Sequence, residues 1–218
     1  DQSYVLYTLD QDQLGFIQFP LGKLTKPEVR QLARAYGLPV ADKAESQEIC
    51  FVGNRSYADF VSERRPDVTV AGEIVTAEGE LLGQHRGLVH HTVGQRRGIG
   101  IAAPKPYFVL HLDTGSNRLV VGSREEAEAS QLTIEDVTLS TGAWPTEPFL
   151  ADAVVRYRGM PTPARIVPGP AGSRTASLEF VGDRAPIASP GQAVVFYLGD
   201  QVLGGGTIQQ VARRGRAA

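Results

Sequence analysis

Ala193-Val194-Val195-Phe196-Tyr197, followed after a short interval by Leu203-Gly204-Gly205-Gly206, is the stretch that decides the architecture. Its β-branched and aromatic run reads as a strand. The three glycines permit a bend or the close approach of another backbone. They do not make a phosphate loop, because no Lys-Ser/Thr follows them and no dinucleotide-binding spacing surrounds them. Upstream, Ala153-Val154-Val155-Arg156-Tyr157, Ala164-Arg165-Ile166-Val167 and Ala176-Ser177-Leu178-Glu179-Phe180 repeat the pattern. Alternation and spacing across residues 132–206 predict a closed or nearly closed antiparallel barrel. Trp144, beside Pro145, is expected to pack at its entrance, and Arg213 to Ala218 read as a frayed basic tail.

Residues 66–131 carry shorter strand signals: Gly72 to Thr76, Leu81-Leu82-Gly83, Tyr107 to Leu110, and Leu119-Val120-Val121 after Ser116-Asn117. They predict a small β-rich unit. Between them, His90-His91-Thr92-Val93-Gly94-Gln95-Arg96-Arg97-Gly98 is the best local basic patch. Its glycines would let backbone approach a nucleic acid, which makes Gln95, Arg96 and Arg97 candidate contacts; a solvated turn is an equal reading. No Cys or carboxylate stands at ligand spacing beside the histidines, so no metal site is expected. His85, His90, His91 and His111 read as satisfied structural residues.

Residues 1–65 read as α-rich. Ser3 can cap a helix with apolar positions at Tyr4, Val5, Leu6, Leu9 and Leu14, ended by Phe19-Pro20-Leu21-Gly22. A second helix is better specified. Thr25-Lys26-Pro27-Glu28 is a capping box with proline in the first turn, where its missing N–H costs little. Val29, Leu32, Ala33 and Tyr36 form one apolar face, and Gly37 with Pro39 supplies the stop.

Composition bounds the rest. The 218 residues are 42% hydrophobic and 21% charged, an ordinary globular balance. No run approaches the roughly 18 apolar residues of a membrane span, and no signal peptide is evident. The net charge of −2 argues against a wholly basic nucleic-acid binder but leaves room for a local basic face. All basic residues of 132–218 are arginines, which suit phosphate forks; GC-rich codon usage explains them as well. The single cysteine, Cys50, excludes a disulfide within the chain and fits a reducing cytosol. A cation such as Lys43 or Arg55, or a helix N-terminus, could lower its pKa from about 8.5. On local chemistry alone, a buried small hydrophobe is the stronger reading of Cys50.

Several segments in order resemble the tRNA-specific 2-thiouridylase family: Asp1 to Leu9, Phe19 to Gly22, Thr25 to Arg30 and Gly37 to Ala41. So do Glu45-Ser46-Gln47-Glu48-Ile49-Cys50-Phe51, His91 to Arg96, Pro190 to Tyr197, and Leu203 to Gly206. The resemblance implies an α+β multidomain protein. Residues 1–65 would be the α-rich remnant of an α/β nucleotide-binding domain, 66–131 a small β-rich central domain, and 132–218 a C-terminal antiparallel β-barrel similar to domain 2 of elongation factors.

The family replaces the C2 oxygen of the anticodon wobble uridine with sulfur. ATP, with Mg, adenylates that oxygen; a cysteine persulfide delivers sulfur, and a second cysteine resolves the intermediate as a disulfide. The resemblance puts Cys50 in the persulfide position. It implies tRNA contacts at Asp1 and Gln2, whose preceding lysine would lie just upstream, and at Arg156, Tyr157 and Gln192. Strand alternation puts Arg156 and Tyr157 on opposite faces, so one of them could be a core residue. Implied partners are tRNAs with Lys, Glu and Gln anticodons and a cysteine desulfurase or sulfur carrier, in the cytoplasm and without a membrane. The family's nucleotide loop, its other catalytic cysteine and its acidic residue have no counterpart in this sequence. A chain opening at Asp1, inside a predicted helix, is expected to continue upstream. By itself it is expected neither to use ATP nor to thiolate tRNA. The alternative is a binding module for RNA or protein, with Cys50 inert in a core.

Overall fold

In the computed structural model the described residues are 3–43, 52 and 56–214, without the side chains of residues 66 and 67. Strands β5 (Ala129–Leu139), β6 (Phe149–Val154), β7 (Thr162–Pro168), β8 (Ala176–Phe180), β9 (Ala193–Leu198) and β10 (Gln201–Arg213) close into one barrel. Its order is β10-β5-β8-β7-β6-β9, and every neighbouring pair is antiparallel. Closure leaves no open sheet edge. Inward positions fill the interior with Leu132, Ile134, Ile166, Leu178, Val194, Phe196 and Ile208, all essentially inaccessible to solvent. Trp144 caps this core as expected, its indole N–H donating to the Gly169 carbonyl at 3.0 Å.

The glycine run lies inside β10, where Gly204 and Gly205 face β5 on one side and β9 on the other. A methyl group on Gly204 would meet the Thr138 carbonyl; on Gly206 it would lie 2.7 Å from the Glu135 carbonyl. On Gly205 it would strike the Val194 carbonyl and lie 2.8 Å from the Tyr7 ring. Close backbone approach is therefore the reason for glycine here. Register shifts along β10 mark bulges that let a 13-residue strand curl around the barrel.

Strands β1 (Gly72–Thr76), β2 (Leu81–His85), β3 (Phe108–Asp113) and β4 (Arg118–Gly122) form a separate sheet in the order β2-β1-β4-β3. The β1–β4 pair is parallel. Ile74, Ile99, Val109, Leu119 and Val121 make its core. Helix α3 (Arg124–Ala127), capped by the Ser123 hydroxyl, links this sheet to β5.

Three local expectations need correction. The first predicted helix is two elements, a 3-10 helix over Ser3–Thr8 and α1 (Gln11–Phe16). Asp10 interrupts it: its backbone is extended and its carboxylate accepts from the Gln13 N–H at 2.8 Å, starting a new helix. Arg213 is no frayed tail. It ends β10 half-buried, and its guanidinium donates to the carbonyls of Ala127 and Leu110 at 2.7 and 2.9 Å. His91 is not satisfied: it is buried, and neither ring nitrogen has a hydrogen-bond partner. His85 does fit the structural reading, since Gly87 N–H donates to its Nδ1 and its Nε2 faces the Asn117 carbonyl.

Helix α2 (Lys26–Ala35) follows the Thr25 cap. The Glu28 carboxylate accepts from the Thr25 N–H and hydroxyl at 2.6 and 2.7 Å, and Gly37 ends the helix in the left-handed region. Its apolar face is half-buried at Val29 and Ala33 and exposed at Leu32 and Tyr36, the latter 77% exposed.

Candidate nucleic-acid interface

Strand β6 ends at the buried Val154, Val155 just beyond it is buried as well, and the chain then turns. Gly159 N–H donates to the Arg156 carbonyl at 2.8 Å, and Arg158 sits at φ 59°, closing a tight turn. Arg156 and Tyr157 are thus beyond the strand, and both are exposed. The expected strand alternation does not apply, and neither residue belongs to the core. The turn still separates them. It forms a ridge whose Gly159 and Pro161 border two hollows. Arg156 faces one, of about 570 Å3, and Tyr157 faces the other, of about 270 Å3.

The Tyr157 hollow is built by residues far apart in sequence. Tyr4, in the N-terminal 3-10 helix, lies with its ring centroid 6.3 Å from that of Tyr157, tilted by 56°. Its hydroxyl donates to the Ala193 carbonyl at 2.7 Å, next in sequence to Gln192. Ser3 and Tyr197 share a hydrogen bond of 3.2 Å. Burial pushes the Tyr4 phenol up to about 12, and the neighbouring Tyr7 and Tyr197 hydroxyls add to the effect. The phenol therefore stays protonated, a fixed donor. Arg158 places its guanidinium carbon 5.3 Å from the Tyr157 ring centroid. The result is a half-exposed aromatic face backed by a cation, suited to stacking against a base.

Gln192 leads into β9 in a half-buried turn, its carbonyl accepting from the Ile208 N–H at 2.8 Å. Tyr4 thus ties together the neighbourhoods of two expected contacts, Tyr157 and Gln192. Sequence reasoning missed this role because Tyr4 reads there as part of a helix face. A contact 189 residues away leaves no local signal.

The Gln95 amide is spent inside its own turn, accepting from Thr92 N–H at 3.0 Å and donating to the Arg97 carbonyl at 2.8 Å. It shapes the loop that presents Arg96 and Arg97, both exposed. Asp1, Gln2 and Cys50 lie outside the described residues, as does Arg55. Lys43, the last residue described before the Cys50 segment, follows an exposed clasp in which Arg34 holds Asp42 at 2.5 Å. That guanidinium keeps the Asp42 carboxyl below the usual range, chiefly by hydrogen bonding.

The glycine run was the sequence's nearest approach to a phosphate loop, and the barrel ladders enclose it. The described residues thus offer no fit there for ATP. Among them, no three His, Cys, Asp or Glu side chains gather as metal ligands, and no helix is long and apolar enough to cross a membrane.

Comparison with known proteins gives this geometry a family. Residues 1–54 match the tRNA methyl transferase HUP domain, 58–123 the tRNA methyl transferase PRC-barrel domain, and 129–208 the aminomethyltransferase β-barrel domain. A tRNA-specific 2-thiouridylase MnmA of Geobacter metallireducens is 48% identical over 217 residues, which is 99% of this chain. The chain belongs to the tRNA-specific 2-thiouridylase family. Proteins of the same name from Moorella thermoacetica and a Roseiflexus species are 46% and 45% identical over 98% and 95% of the chain. The chain spans 57%, 59% and 55% of the lengths of these three thiouridylases. The closed six-stranded barrel is the structural counterpart of the third matched domain.

Proposed function

We propose that the chain works in a tRNA-uridine 2-sulfurtransferase, supplying the persulfide-carrying Cys50 and the surfaces that dock tRNA. The observation that carries this reading is 48% identity to a tRNA-specific 2-thiouridylase over 99% of the chain. In this role Cys50 accepts a sulfur atom from a cysteine desulfurase or sulfur carrier. It then passes that sulfur to the wobble uridine of tRNAs with Lys, Glu and Gln anticodons, in the cytoplasm. Asp1, Gln2, Arg156, Tyr157 and Gln192 hold the tRNA, with Arg96 and Arg97, presented by the turn that Gln95 shapes, as a second contact. The chain divides functionally near residues 65 and 131. ATP and Mg belong to the whole enzyme's activation step, and no step through them is assigned to the described residues.

The chemistry of the exposed ridge is compatible with docking: an arginine for phosphate on one side, and a cation-backed tyrosine for a base on the other. The test is sulfur loading. Incubation with a cysteine desulfurase and radiolabelled cysteine should label the chain at Cys50, reversibly by reductant, and Cys50→Ser should abolish the label. An unlabelled wild-type chain that still binds tRNA would replace this reading with that of a binding module.

A further inference from the structure

We infer that Arg184 and Arg124 join Arg156 in a phosphate-binding groove that lies across the junction of the barrel and the central sheet. The inference rests on the tRNA-docking reading above and extends it to two residues of no assigned role. The hollow of about 570 Å3 on the Arg156 side of the ridge is lined by Arg124, Arg156 and Arg184, with Asp183 as its one acidic residue. Arg156 and Arg184 are exposed, and among the described residues neither side chain has an ion pair or hydrogen bond. Uncommitted guanidinium groups facing one cleft repel each other, so the cleft favours an anion that spans them. Met160, Pro161 and Ile187 supply apolar walls, with Met160 82% exposed. A row of cations beside apolar surface fits the alternating phosphates and sugars of an RNA strand.

The groove is held together by a buried carboxylate. Glu128 is 6% exposed and accepts from Arg124 Nε at 3.0 Å, leaving the terminal nitrogens of Arg124 free of it. Its other oxygen accepts from the Ala185 N–H at 3.4 Å and lies 3.9 Å from Arg214. Arg214 in turn donates to the Gly182 and Asp183 carbonyls, both at 2.6 Å. One carboxylate therefore fixes Arg124 of the central unit and the loop that presents Arg184. The adjoining groove, which Arg124 also lines, holds Arg96 and Lys105 but balances them with Glu78, Glu125 and Glu126. Attraction for phosphate is accordingly concentrated on the Arg156 side. Binding would bridge two structural units, so a strand lying there also fixes their relation.

Binding of an unmodified tRNA transcript to the chain, followed by fluorescence anisotropy between about 50 and 200 mM salt, tests this. Arg184→Ala is expected to weaken binding roughly three- to tenfold and to lower the salt slope by about one, as Arg156→Ala should. Asp183→Asn should tighten it. Arg184 is exposed on a loop, so an unchanged melting temperature accompanies a valid result. Unchanged affinity and slope in Arg184→Ala, with Arg156→Ala weakened, would overturn the groove and leave the docking reading standing. A wild-type chain that does not bind tRNA would remove the reading on which the groove depends.

Discussion

Arg213, at the end of the last barrel strand, donates from Nη2 to the Leu110 carbonyl of the central sheet at 2.9 Å. Its other terminal nitrogen donates to Ala127, at the end of the linking helix. Both acceptors are in buried residues. Arg213→Ala leaves them unpaired and should destabilise the chain by about 2 kcal/mol. Chemical denaturation measures this; a loss below a few tenths would show that solvent replaces the contact. Arg213→Lys should recover only part of it, since one ammonium cannot reproduce the two-pronged geometry.

The buried, unpartnered His91 predicts a pH dependence. Its pKa is lowered, first by burial and then by His85, His90 and Arg86. In the unfolded chain an ordinary histidine takes up a proton near pH 6.5, while the folded one does not until lower pH. The unfolded state therefore binds more protons, and stability falls as pH drops from about 6.5 towards the depressed folded value. Above that range the term vanishes. His91→Leu should remove this slope and add about 1 kcal/mol at neutral pH by deleting an unsatisfied polar ring. Melting curves at acid and neutral pH decide; an identical slope in the variant would assign the effect to other groups.

Gly205 should resist any side chain. Gly205→Ala forces a methyl group against the Val194 carbonyl and the Tyr7 ring, at a cost of about 1–3 kcal/mol. Adding Tyr7→Ala relieves only the second clash, so the double variant should regain little. Full recovery in the double variant would mean that Gly205 serves the N-terminal helix rather than the barrel wall.

How far the sequence reaches is visible in these same residues. The barrel was legible because each strand announces itself locally by β-branched residues and alternation, and glycines are informative where backbones crowd. Arg213 and Tyr4 were misread because their roles come from contacts across many tens of residues, and His91 because its burial without a hydrogen-bond partner leaves no mark on the local sequence. The helix break at Asp10 was legible in principle, as Asp10 and Gln13 form a capping box, but the apolar spacing around it masked the stop. The Arg156–Tyr157 pair reads in the sequence as the end of a strand, but the strand ends at Val154, and a left-handed Arg158 is hard to anticipate without glycine.

Tyr4 offers the sharpest test of positioning on the proposed docking ridge. Its ring braces Tyr157, and its hydroxyl holds the backbone beside Gln192. If Tyr157 stacks on a base, Tyr157→Ala should weaken tRNA binding about tenfold, within the range for one stacked base. Tyr4→Phe keeps the ring and loses one hydrogen bond of about 1 kcal/mol, so it should lower stability while leaving tRNA affinity nearly intact. Tyr4→Ala removes the brace and should approach the affinity of Tyr157→Ala, although Tyr4 itself need not touch RNA. Equal affinity of Tyr4→Ala and wild type, alongside a weakened Tyr157→Ala, would show that Tyr157 holds its orientation unaided.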